Sequence, residues 1–185
     1  MLRSCSRRPA VQKGESDTMS DDPIAMDRLV KLYQLPDPAP NLASLVSRGI
    51  SIRRARSYEK TLVVQWVRAM FSQGWADECS VCFSRTPVSC FIATTGGEIV
   101  GFACHDATYK NFFGPIGIAK DKREGGVGAA LLLACLSSMR EAGYAYAIIG
   151  GPKEAAPFYR RVVGAIDIPG SNPGIYIDRI NGSDS

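Results

Sequence analysis

The strongest claim to chemistry in this 185-residue chain belongs to a glycine-rich loop, Arg123-Glu124-Gly125-Gly126-Val127-Gly128-Ala129. It joins a strand-like stretch to an apolar helix. Glycine lets successive backbone N–H groups converge without Cβ clashes, and the N-terminus of a following helix carries roughly half a positive charge. Such a loop can hold a phosphate or pyrophosphate, and Arg123 adds a cation at its entrance. A P-loop would need Lys-Ser/Thr after the last glycine, where Ala129-Ala130 stands. A dinucleotide fingerprint would need glycine at 131 and an acid after the next strand, but Leu131 and Gly150 occupy those places. The bland alternative is a glycine turn packed tightly on a helix.

Thiols are the next reactive groups. Cysteines stand at 5, 79, 82, 90, 104 and 135, most of them inside apolar stretches where a free thiol behaves as a small hydrophobe. Cys79-Ser-Val-Cys82 is a lone CxxC, and a structural zinc site needs two further ligands; His105 is the chain's one histidine, so no metal is expected. No secretory signal precedes the cysteines, so a reducing cytoplasm is the expected setting.

The elements around the loop read as follows. Residues 1–20 lack any hydrophobic period and are expected to be a disordered tail. Over 21–48 a helical extension is expected: apolar positions at Ile24, Met26, Leu29, Val30 and Leu32 predict a short helix that stops before Pro36 and Pro38, with another helical turn near Asn41–Val46. The domain proper is placed at 49–185. Ile50–Arg53 alternates as a strand; Ser57 is read as the cap of a helix to Phe71 with the apolar face Leu62, Val63, Trp66 and Met70; Asp77–Phe83 predicts a further helix. Residues 91–95 and 99–104 flank the turn Gly96-Gly97-Glu98 as a hairpin, and Asn111–Ala119 is a strand interrupted by Gly114-Pro115 and Gly117. A helix from the glycine loop to Ala142, a buried strand Tyr144–Ile149, a helix Glu154–Val163 and a last strand Gly174–Ile180 complete the chain. The fold class is α/β (α+β), with a mixed central sheet of about six to seven strands flanked by helices.

In that order the residues resemble the GNAT superfamily of N-acetyltransferases. Arg123-x-x-Gly126-x-Gly128 is similar to that family's acetyl-CoA motif, Gln/Arg-x-x-Gly-x-Gly/Ala, and it follows a strand ending Ile116-Gly117-Ile118. The helix, the strand and the segment Phe158-Tyr159-Arg160-Arg161-Val162-Val163-Gly164-Ala165 come next at the family's spacings. The resemblance covers about residues 50–180 and is strongest over 98–165. It implies a splayed sheet with acetyl-CoA in the cleft between the strands at 111–119 and 144–149. It also implies transfer of the acetyl group to a primary amine by direct attack in a ternary complex.

The resemblance further implies a role for each matching residue. Ile116 N–H meets the thioester carbonyl, and Gly117 and Ile118 run beside the pantetheine arm. Arg123, Glu124, Gly125, Gly126, Val127, Gly128 and Ala129 cradle the pyrophosphate. Tyr159 protonates the leaving thiolate, as a phenol of pKa ~10 can; its alternative is a core tyrosine beside Phe158 and Val162. Many relatives carry an asparagine where Gly150-Gly151-Pro152-Lys153 stands here, which implies backbone contacts or a wider acceptor cleft. The strand at 111–119 holds no carboxylate, so the base is sought in His105, with an unperturbed pKa ~6.5, and Asp106; Asp77, Glu78 or a water chain are the alternatives.

Bulk composition agrees with a small-molecule enzyme. The net charge is +4 without a Lys/Arg block, so no nucleic acid is expected, and no run approaches the ~18–20 apolar residues of a membrane span. The acceptor is a small-molecule or peptide amine that nothing near residues 60–84 spells out; a homodimer stays open. A non-catalytic acyl-CoA-binding module would keep the glycine loop and dispense with Tyr159.

Overall fold

Side chains alternate across a strand, and in Cys90–Thr95 and Glu98–His105 that alternation feeds two separate cores. The computed structural model describes residues 26–177; the tail expected over 1–20 lies outside them. The strands are β1 (Arg28–Lys31), β2 (Ile50–Arg54), β3 (Cys90–Thr95), β4 (Glu98–His105), β5 (Phe112–Ile118), β6 (Tyr146–Ile149) and β7 (Ile166–Asp167), and the α-helices are α1 (Ala39–Ser47), α2 (Lys60–Met70), α3 (Gln73–Cys82), α4 (Val127–Glu141) and α5 (Ala156–Val163). They form one seven-stranded sheet in the order β2-β3-β4-β5-β6-β1-β7. β5 and β6 are parallel; every other neighbouring pair is antiparallel.

One core lies under α4, an apolar helix that buries Val127, Ala130, Leu131, Leu132, Leu133, Cys135, Leu136 and Met139, with Phe91, Ala93 and Ala103 of the sheet packed in the same cluster. Each fully buried Leu contributes about 1.5–3 kcal/mol of transfer free energy. Gly143, at φ +95°, ends the helix in the left-handed conformation that glycine adopts without strain. The other core lies under α2 and α3, where Val63, Val67, Ala76, Cys79 and Cys82 meet Cys90, Ile92, Phe102 and Cys104.

Three local expectations are corrected. The helix expected over 24–34 is strand β1 followed by a 3₁₀ turn at Leu32–Gln34. Four residues fit either period, and the hydrogen bonds offered by β6 on one side and β7 on the other decide for the strand. The described part of the 21–48 segment thus supplies an inner strand of the sheet as well as a helix, α1, where the helical turn near Asn41–Val46 is expected. Of the last strand expected at 174–180, Gly174–Tyr176 is a 3₁₀ turn and residues 178–180 lie outside those described, while Ile166–Asp167 forms the seventh strand. Of the apolar face expected on α2, Val63 and Trp66 do pack into the core, joined by Val67, whereas Leu62 is 66% and Met70 44% exposed.

Ser57 does not cap α2. Glu59 takes the Arg56 N–H at 2.8 Å and grips the Arg53 guanidinium at 2.8 and 2.6 Å. The guanidinium holds the Glu59 carboxyl down from 4.5 to about 2. The folded chain therefore binds this proton less tightly than the unfolded chain. The pair stabilises above pH 4.5, and that contribution fades as pH falls toward about 2. Glu59→Gln should cost about 0.5–1 kcal/mol at neutral pH, allowing for solvent screening, with the deficit closing in acid. Thermal melts across that range test it; a deficit independent of pH would assign the loss to packing.

Candidate active site

The cleft arises where β5 and β6 part. They pair only at Phe112↔Ile148 and Phe113↔Ile149, after which β6 ends at Ile149 while β5 runs on to Ile118. Pro115 falls where the β4–β5 register shifts, between Ala103 and His105, a position that tolerates its missing N–H. Beyond it, Ala119 N–H donates to Val100 at 2.9 Å. Hydrogen-bonded pairs alternate in an antiparallel ladder, so Gly117 also faces β4, and the backbone N–H and C=O of Ile116 and Ile118 turn toward the space β6 has left. That space is a cleft of about 530 Å³ lined by both isoleucines, Arg123, Gly128, Gly150, Phe158 and Tyr159 among others.

The glycine loop closes one end of this cleft. Gly125 and Gly126 have φ of +83° and +87°, which glycine alone adopts freely. Their carbonyls are held by α1 and its C-cap: Arg48 donates to Gly125, and Asn41 Nδ2 donates to Gly126 at 3.1 Å. A Cβ on Gly126 would sit 2.5 Å from Asn41 Oδ1. The Gly126 carbonyl also accepts the Ala130 N–H at 3.0 Å, and the N–H groups ahead of Ala130 at the start of α4 have no intrahelical acceptors.

Tyr159 lies 5% exposed in the wall of the cleft, edge-on to Phe113 and Phe158 at centroid distances of 6.1 and 5.1 Å. Burial alone pushes its phenol up to about 12, so it is protonated at neutral pH. On the opposing side stand Phe71, Trp75 and Glu78, from α3 and the residue ending α2, together with Thr108, whose hydroxyl donates to Glu78 Oε1 at 2.6 Å. Phe71 also rests against Gly117, where a Cβ would collide with its ring. The Gly150–Pro152 turn lines the cleft with backbone: Asp27 Oδ1 accepts the Gly151 N–H at 2.9 Å, and a Cβ on Gly150 would meet the Tyr176 hydroxyl at 3.2 Å. Asp27, Phe71, Trp75 and Tyr176 were missed in the sequence because nothing local marks them; they arrive from remote segments.

His105 and Asp106 are not in this cleft. They line a separate cavity of about 390 Å³ with Arg54, Arg85, Ser89, Ser138 and Tyr144. Both are fully committed: His105 Nε2 bonds Ser138 Oγ at 3.1 Å and Nδ1 bonds Asp106 Oδ2 at 3.3 Å, while Asp106 Oδ1 accepts the Asn111 N–H at 2.8 Å in the turn before β5. Desolvation, outweighing the attraction of Asp106, holds the imidazole below its usual 6.5. Their expected role as base in the Tyr159 cleft is corrected accordingly. Asp77 is exposed and bonded by Gln73 at 2.7 Å, leaving Glu78 as the carboxylate the fold delivers. The fold also brings Cys90 and Cys104 beside Cys79 and Cys82 of the CxxC, from strands remote in the sequence.

Residues 86–162 match the family model described as the acetyltransferase (GNAT) domain. No curated protein matches the sequence closely enough to count as a relative. Among solved structures, the glucosamine N-acetyltransferase region of a fungal multi-domain β-N-acetylglucosaminidase superposes with TM-score 0.62 at 13% identity, covering 78% of this chain and 20% of that one. A GCN5-related N-acetyltransferase from Sphaerobacter thermophilus gives 0.53 at 18% identity, over 78% and 48% of the two chains. One from Kribbella flavida gives 0.50 at 16% identity, over 77% and 54%. The chain thus spans between about a fifth and a half of those proteins' length, and the likeness is one of fold. The matched segment spans less than half of the chain, and the seven-stranded splayed sheet has the GNAT-like fold of those structures. Among the described residues no helix is long and apolar enough to cross a membrane.

Gly128 sits in the first turn of α4, where a Cβ would approach Ile118 Cδ1 at 3.3 Å on the cleft floor. Aspartate is favourable for a helix in its first turn, so Gly128→Asp should fold. Its carboxylate should repel an anion from the loop. Calorimetry should detect no coenzyme A binding by the folded variant; unchanged affinity would move the phosphate site elsewhere.

Proposed function

We propose that this protein is an acetyl-CoA-dependent N-acetyltransferase acting on a primary amine. The observation that carries the proposal is the pair of backbone positions, Ile116 and Ile118, turned into the cleft beside the glycine loop at the head of α4. A cleft with strand-like backbone donors, a left-handed glycine loop and Arg123 fits a long, polar thioester ending in phosphates. Gly125, Gly126, Val127, Gly128 and Ala129 would hold the pyrophosphate, with Arg123 and Glu124 at the loop's entrance and Gly117 and Ile118 beside the pantetheine arm.

Acetyl-CoA supplies an acyl group activated as a thioester. Ile116 N–H is assigned to the acyl oxygen, where charge develops during attack. The Tyr159 hydroxyl is assigned to the sulfur. At about 12 it is a weaker acid than an ordinary tyrosine, so it first donates a hydrogen bond and yields the proton as negative charge fills the sulfur. Glu78 is assigned to the amine: its carboxylate attracts an ammonium and removes a proton directly or through one water, while Thr108 fixes its orientation. The phenyl and indole rings of Phe71 and Trp75, ring centroids 5.2 Å apart, offer an apolar wall to the part of the acceptor behind the amine.

Acetyl-CoA should stabilise the fold by ~2.7 kcal/mol at a hundred times its dissociation constant. A thermal-shift titration without response to acetyl-CoA or coenzyme A would end the donor assignment.

Tyr159→Phe keeps the ring and should change stability little. Its kcat should fall ~10²–10⁴-fold, with a smaller change in KM for acetyl-CoA. Glu78→Gln keeps an acceptor for Thr108 and should lower kcat by a similar factor. Both are measured by thiol release against a panel of amines. Donor binding without turnover on any amine would favour an acyl-CoA-binding module, and full turnover in Tyr159→Phe would remove the phenol from the reaction.

A further inference from the structure

The core under α2 and α3 gathers cysteines from three elements. Cys79 and Cys82 lie three residues apart on α3 and so share one helix face. Cys90 and Cys104 are direct partners across β3 and β4. His105 N–H bonds Ser89 O at 3.0 Å, so the neighbouring Cys90/Cys104 pair is the close, non-hydrogen-bonded kind, with both side chains on one face. All four cysteines have no solvent exposure and are unoxidised. The sulfurs of Cys79, Cys90 and Cys104 lie within 4.8 Å of one another. Cys79 Sγ and Cys90 Sγ are 3.8 Å apart. A tetrahedral ion with metal–sulfur bonds of ~2.3 Å has an edge of about 3.8 Å, so that pair already has the spacing of two zinc ligands. The Cys82 sulfur lies outside that 4.8 Å group, on the same buried side of α3, with its thiol 3.9 Å from the carbonyls of Glu78 and His105.

A second observation points the same way. The Ser89 hydroxyl and Arg85 Nε are buried without hydrogen-bond partners. Ser89 adjoins the Cys82 sulfur, and the Arg85 charge acts on it. An orphaned donor costs about 1–3 kcal/mol. A neutral thiol is a weak acceptor, whereas a metal-bound thiolate at Cys82 accepts a full hydrogen bond from the Ser89 hydroxyl and is favoured by the Arg85 charge.

We propose that Cys79, Cys82, Cys90 and Cys104 form a structural site for one zinc-class divalent cation, which ties α3 to the β3–β4 hairpin. On binding, each thiol releases its proton to solvent and donates a sulfur electron pair; nothing is oxidised or reduced. Ser89 and Arg85 offset the negative charge left on the cluster. Cys79 follows Glu78 directly, so the ion sets the position of the helix that presents Glu78 and Trp75 to the cleft. That last consequence rests on the catalytic reading above; metal binding itself does not.

The test uses the full chain, purified with reductant and without chelator. Elemental analysis should find about one zinc per chain, the stoichiometry of a closed tetrahedral site. Refolding the stripped, reduced chain with cobalt(II) alone should give the intense visible bands of tetrahedral cobalt and a thiolate-to-cobalt charge-transfer band. Cys104→Ser should lose the bound metal, whereas Cys135→Ala, a buried thiol of the other core, should keep it. Should Cys104→Ser fail to fold, the wild-type zinc content and cobalt spectrum decide. A metal-free purified chain that gives no tetrahedral cobalt spectrum overturns the site, as does a native disulfide among these cysteines. Because neither readout depends on turnover, its failure is distinct from failure of the acetyltransferase reading.

Discussion

The parting of β5 from β6 is the constraint on which the cleft depends. Two register pairs hold the strands together, and then β6 turns away through Gly150, Gly151 and Pro152. Had β6 continued alongside, the backbone groups of Ile116 and Ile118 would be consumed in a ladder and the sheet would be closed. Leaving such groups unpaired in a dry interior costs about 1–3 kcal/mol each, so the gap must admit water or a ligand with its own donors and acceptors. The parting is held from outside the pair. Asp27 tethers Gly151, and Asp27 immediately precedes β1, the strand that pairs with the far edge of β6.

The second dependence is the division of labour on α3. Residues three apart share a face of a helix, so Ala76, Cys79 and Cys82 point into the core. Trp75 and Glu78, one position earlier in each case, look toward the cleft. Packing on one side thereby aims a carboxylate on the other. The phenyl of Phe71, seated on Gly117, fixes the α2–α3 corner against β5, because any side chain at that glycine would collide with the ring. The α4 side works differently. There the helix is apolar along most of its length and meets the cleft through its N-terminus, whose loop carbonyls are tethered to Asn41 and Arg48.

The sequence by itself determined what is contiguous and periodic. The glycine loop, the Gly96-Gly97 hairpin, the long apolar helix with its glycine stop and the position of Tyr159 after the second βα crossover are each written in neighbouring residues, and local chemistry suffices to read them. Tertiary structure decided everything that requires two remote segments to meet. Leu29-Val30 became strand because β6 and β7 offered hydrogen bonds on both sides. His105, attractive by residue type, became a bonded core group because β4 places it against Ser138 of α4, while Glu78, unremarkable by type, reached the cleft because α3 crosses the other face. Cys90 and Cys104 joined the CxxC through strand register. A residue's type states which protons or ligands it can handle. Where it points, and what desolvates or neutralises it there, is settled only when the sheet's register and the helices' packing faces are fixed by burial and hydrogen bonding across the whole chain.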